Sequence, residues 1–172
     1  VVSSAALKKA EICADPAEIA VNNNIIRVAF DGGEALFDQN EGLVSYRKNG
    51  LEYLNTAPID GASGFVPHIY RGRLDNDQYM VIFWKIIGLD CANAKMISCN
   101  VKRTDGVKYV STVYDFVTRG LFVLARAQVD YFFDKSGKMT ISASLKKVCP
   151  LTDQLPRFGV HAEVGNRFEN VE

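Results

Sequence analysis

The chain predicts an all-β fold, an antiparallel sandwich, and three observations carry that reading. Apolar residues recur with a period of two rather than 3.6, so side chains alternate between the faces of strands. Glycine-containing turn pairs separate these runs at short spacing. Long amphipathic helical patterns are missing. Short strands joined by tight turns bury their apolar faces most simply by packing sheet against sheet.

The elements follow in order. Residues 1–20 read as a lead-in or linker, and residues 21–172 as one domain. Ile25-Ile26-Arg27-Val28-Ala29-Phe30 has strand composition, follows the turn-like Asn22-Asn23-Asn24, and is broken by Asp31-Gly32-Gly33. Residues 43–47 and 51–54 flank Asn49-Gly50, a pair that favours the positive φ angles of a hairpin turn. Residues 96–103 and 107–117 surround Asp105-Gly106. Val107, Tyr109, Ser111 and Val113 share one face of that second arm, while Lys108, Val110 and Thr112 take the other. Ala127, Val129, Tyr131 and Phe133 alternate up to Lys135-Ser136-Gly137, and Met139, Ile141, Ala143 and Leu145 alternate back. Across an antiparallel pair these two sets form one apolar slab. A last run covers 158–164, after Pro150 and Pro156. Residues 79–88 are hydrophobic between an acidic turn and a glycine, a pattern open to helix or strand.

Composition narrows function by exclusion. The chain has 172 residues, enough to bury roughly two thirds of its unfolded surface in a core. Twenty basic and twenty acidic side chains cancel, and no basic stripe or polybasic run suggests nucleic acid or an anionic membrane. The longest apolar run, 79–87, is broken by Lys85 and too short to span a bilayer. Nothing in the composition selects a compartment. Cys13, Cys91, Cys99 and Cys149 form no C-x-x-C pair, and His68 and His161 are the two histidines, which disfavours a zinc site. The cysteines read as buried thiols, with a Cys91–Cys99 bridge left open.

The chemistry-bearing residues are sparse. Asp75 and Asp77 are the best local carboxylate pair, and at strand spacing they would project to one side. The same residues suit an acidic turn paired with Arg71 or Arg73. His68 and His161 are general-base candidates without a neighbouring nucleophile motif. Tyr109, Tyr131, Phe132 and Phe133 read as core aromatics, or alternatively as a sugar-stacking platform.

Three blocks, in order, resemble the small-chain domain of family 2 β-galactosidases. The first is Phe30-Asp31, then Phe37 through Ser45, then Gly50-Leu51-Glu52-Tyr53-Leu54. The second is Arg71 to Asp77 with its Asp-Asn-Asp run, followed by Trp84-Lys85 and Gly88-Leu89. The third runs from Asp134-Lys135-Ser136-Gly137-Lys138-Met139 to Leu155-Pro156-Arg157-Phe158-Gly159-Val160. Tyr70 and Arg73 stand where the family usually has tryptophan and proline, and the stretch from Asp77 to Trp84 is shorter than in some members. The chain looks like the first half of that domain, truncated.

The resemblance implies a partial antiparallel supersandwich of the galactose mutarotase-like type. It implies an accessory role in hydrolysing terminal β-D-galactosides, with no catalytic residue and no cofactor on this stretch. The catalytic barrel, the partner so implied, would supply two glutamates, and a divalent cation is an option of the parent enzyme. Arg71, Asp75, Asn76 and Asp77 are the implied substrate-adjacent residues. The rivals are a free-standing carbohydrate-binding module and, ranked last, a mutarotase-like epimerase. Half a sandwich would leave strand edges uncovered, so a homo-oligomer is also expected.

Overall fold

A computed structural model describes residues 15–54, 64–72, 74–120, 122–149 and 155–164. Two antiparallel meanders face each other across one apolar core. The first contains β1 (Glu18–Asn22), β2 (Ile25–Phe30), β3 (Gly33–Asp38), β4 (Gly42–Lys48) and β5 (Leu51–Glu52), paired in that order. A three-residue strand, β6 (Val66–His68), and a helix, α1 (Met80–Ile86), follow. The second meander contains β7 (Ala92–Thr104), β8 (Val107–Thr118), β9 (Phe122–Phe133) and β10 (Met139–Lys147). Last comes β11 (Gly159–His161), which pairs with β6 as a separate two-stranded ladder. β1 begins within the stretch expected to be a lead-in, and the amide of Ala17 donates to Phe133 O at 3.0 Å.

The turns sit where the sequence puts them. Asn49 and Gly50 have φ of 51° and 77°, and Asp105 and Gly106 have 52° and 87°, as tight hairpins require. Met139, Ile141, Ala143 and Leu145 lie opposite Phe133, Tyr131, Val129 and Ala127, so the expected slab forms. In β8 the core side is Val110, Thr112, Tyr114 and Phe116, all buried. On the other side, the Tyr109 and Phe132 rings stack at 4.7 Å.

Irregular pairing keeps the apolar residues inward where strict alternation would turn them out. In β7, Met96 pairs Tyr114 but Ser98 pairs Val113, leaving Ile97 as a bulge, half exposed. Ala94 and Met96 before the bulge, and Cys99 and Val101 after it, therefore all join the core. This bulge explains why β7 shows no unbroken alternation in sequence.

Phe37, fully buried, sits between the meanders. Its ring meets Tyr131 edge-on at 5.1 Å and Phe133 at 6.1 Å. Phe30 stacks on Phe133 at 6.2 Å, and Tyr46 packs against both of those rings. The β9–β10 turn is then tied to the first sheet. Tyr46 Oη donates to Gly137 O at 2.5 Å, Lys48 Nζ to Ser136 O at 2.8 Å, and Asp31 N to Lys135 O at 2.7 Å. Gly137 has φ of 81°, and a Cβ there would stand 2.6 Å from the Phe30 ring. Only glycine meets both demands.

Cys91 and Cys99 are free thiols, so the Cys91–Cys99 bridge does not form; Cys13 lies outside the described residues. Cys99 is buried, as expected of a packed thiol, whereas Cys91 is exposed in a short 3-10 turn after α1. Burial, reinforced by Asp38, pushes the Cys99 thiol up to about 12.

Three outcomes are expected. Phe37→Ala should cost about 3–5 kcal/mol of stability in urea titration, and Gly137→Ala about 2–4 kcal/mol through strain against Phe30. Mass mapping after iodoacetamide treatment at pH 8 should find Cys91 modified in the native protein, and Cys99 modified only after denaturation.

Candidate functional site

The segment after β6 turns away from its ladder and builds a clamp. Ile69 is buried, Tyr70 and Arg71 are partly covered, and Asp75–Asp77 forms a single 3-10 turn before α1. Arg71 grips that turn with both ends of its guanidinium. Nη1 donates to Asp77 Oδ2 at 2.6 Å, and Nη2 donates to Asp77 Oδ1 at 3.1 Å. Nε donates to Pro156 O at 3.1 Å, and Nη1 also donates to Gly72 O at 3.0 Å. Asp77 Oδ2 accepts from the Leu74 amide at 2.8 Å, which closes the turn on itself.

Below the clamp lies the buried indole of Trp84. The Arg71 guanidinium sits 5.9 Å from its ring centre, within cation–π range, and Tyr70 meets it edge-on at 6.4 Å. Trp84 is held by α1, and α1 is anchored at its C-terminal end. Gly88 adopts φ of 73°, where a Cβ would strike Thr118 Oγ1, and this left-handed residue ends the helix. Thr118 Oγ1 donates to Gly88 O at 2.5 Å, and Arg119 Nη2 donates to Lys85 O at 3.1 Å. The end of β8 thus satisfies carbonyls that a helix terminus leaves open.

The four site residues named from sequence therefore divide. Arg71 and Asp77 form a partly buried bidentate ion pair, with side chains 28% and 12% exposed. Asp75 and Asn76 are exposed. The expected projection of Asp75 and Asp77 to one side does not occur. Strand spacing would place alternate residues together, but a 3-10 turn rotates each residue by about 120°, so one carboxylate turns inward and the other outward. Arg73 lies outside the described residues. The carbonyl of Pro156 and the ring of Trp84 as partners of Arg71 were not foreseeable from spacing.

The aromatic platform is not available either. Tyr109, Tyr131, Phe132 and Phe133 are all buried, and none offers a face for stacking a sugar. The two histidines, distant in sequence, meet across the β6–β11 ladder. Their ring centres are 5.9 Å apart and their planes nearly perpendicular. They line a cleft of about 220 Å³ with Tyr70, Asp90 and Asn93. Burial holds the proton affinity of His68 below the usual histidine range, with His161 and Arg157 adding repulsion. Among the described residues, no three His, Cys, Asp or Glu side chains converge on a metal-binding point.

The clamp, its indole floor and the outward Asp75-Asn76 tip are suited to holding a turn rigid. They hold no nucleophile with an activating partner. No curated protein matches the chain significantly. The family model described as beta galactosidase small chain matches residues 31–172, which contain the Arg71 clamp, both meanders from β3 onward and β11. A match over so much of the sequence settles the affiliation: this chain belongs to the β-galactosidase small chain family.

Proposed function

We propose that this chain is a non-catalytic accessory domain of a β-galactosidase, with the Asp75-Asn76 tip forming part of the wall of the sugar pocket. The carrying observation is the Arg71–Asp77 clamp on Trp84, which restrains the turn while leaving Asp75 and Asn76 exposed. A pocket wall needs that rigidity, because loosely held polar groups lose much of their binding energy to ordering. Exposed carboxylate and amide groups are natural partners for galactoside hydroxyls. Hydrolysis itself requires two carboxyl groups flanking the glycosidic bond. On this reading both are glutamates of the catalytic barrel, and the sandwich is the first part of a galactose mutarotase-like supersandwich.

The surface beside the turn supports docking onto that barrel. Tyr79, Ile82 and Ile86 are 88%, 65% and 68% exposed and fall within about 60° of one face of α1. Leu74 adds a further exposed apolar side chain just before the clamp. Covering these side chains favours association, and the adjacent turn would then be presented at the contact.

Three experiments test the proposal. The isolated chain should show no turnover of a chromogenic β-galactoside and should support turnover when combined with the barrel; activity of the pure chain alone would refute the accessory role. In the assembled enzyme, joint D75A and N76A substitution should raise KM about tenfold, as expected from losing one or two hydrogen bonds. I82E with I86E should weaken assembly while leaving the fold of the chain intact by circular dichroism.

A further inference from the structure

We propose that His68 and His161 form a divalent transition-metal site, two imidazoles reaching across the β6–β11 ladder with water completing the coordination shell. The inference is independent of the galactosidase reading and starts from register. His68 lies opposite Gly159, and His161 lies opposite Val66, so the two histidines are diagonal neighbours on one face of the ladder. Glycine opposite His68 leaves that position on the face without a side chain. A Cβ at Gly159 would meet nothing nearer than the mobile end of Arg157, at 3.7 Å.

The spacing suits shared ligation. Two imidazoles on one tetrahedral ion, with metal–nitrogen bonds of about 2.0–2.1 Å, have ring centres roughly 5 Å apart. The observed 5.9 Å is within about 1 Å of that value. Imidazole is a preferred ligand of nickel, copper and zinc, and it binds in its neutral form. The cleft of about 220 Å³ has room for an ion with several waters, each taking roughly 30 Å³.

Two charges tune the site in opposite senses. Asp90 lines the cleft and attracts a cation, whereas Arg157 lies near enough to His68 to repel one. Among the described residues no third His, Cys, Asp or Glu converges there, which fits an open, exchangeable site rather than a closed structural centre. Its consequence is local. The ladder it would staple is short, three residue pairs long, and stands apart from both meanders. β6 leads directly into Tyr70 and Arg71, and β11 follows Pro156, whose carbonyl accepts from Arg71. Metal would therefore tighten the frame of the Arg71 clamp.

The test is calorimetric titration of the tag-free full chain with nickel chloride at pH 7.5, paired with thermal melting. One saturable site is expected, with Tm rising by about 5–10 °C at a hundredfold excess over Kd. Because His68 and His161 are the two histidines of the chain, paramagnetic broadening of imidazole proton signals reports on this pair alone. H161Q and H68Q should each weaken binding by about tenfold or more, and R157Q should tighten it about threefold. Binding should also weaken in acid, because protons compete with the metal for imidazole nitrogen. His161 is exposed, so H161Q leaves packing intact. No saturable binding, or binding unchanged in both H161Q and H68Q, would overturn the site.

Discussion

The packing of Phe37 against Tyr131 and Phe133 is the contact on which the architecture rests. Each meander has one apolar face, and neither face is stable in water by itself. Phe37 comes from the centre of the first sheet, while Tyr131 and Phe133 come from the second, so their rings lock the two faces at one point. Burying aromatic rings of this size contributes several kcal/mol, more than any exposed ion pair in the molecule. The Arg27–Glu34 and Lys135–Asp15 pairs, both largely exposed, add little by comparison.

From that lock the rest of the frame follows outward. The β9–β10 turn lies directly beyond Phe133, and it is held by Tyr46, Lys48 and Asp31 from the first sheet. At the far end of β8, Thr118 and Arg119 secure α1 and so fix the height of Trp84. Arg71 then rests on a floor already made rigid by the core. Its pairing with Asp77 needs no large net energy to be useful. Taking a partly buried ion pair out of water costs nearly what its attraction returns, and the gain is a defined geometry for the turn. The clamp gives this member of the small-chain family a turn of fixed geometry.

Local signals carried much of the fold. Asn49-Gly50, Asp105-Gly106 and the Lys135-Ser136-Gly137 turn each marked a hairpin, because positive φ is a property of a few adjacent residues. The alternation on β9 and β10 gave the slab and its register. The segment after Asp77 stayed undecided between helix and strand, since a short apolar run has no periodicity strong enough to choose. Docking against Thr118 and Arg119 made it a helix. Cys91 misled for a related reason: a small apolar residue beside a strand usually packs inward, but the αL residue Gly88 redirects the chain and leaves Cys91 outside.

The candidate site shows the same division. The residue types and order, Arg71 with Asp75-Asn76-Asp77 and then Trp84, are written in the chain and were enough to suggest an acidic turn held by arginine. Which carboxylate pairs inward, which faces water, and which ring lies beneath the guanidinium depend on the rotation of a 3-10 turn and on contacts between distant segments. The meeting of His68 with His161 is likewise a product of strand register. Alternation, turn propensity and charge are local quantities, readable from neighbouring residues. Juxtaposition across a sheet is a global one, and it exists only once the core has closed.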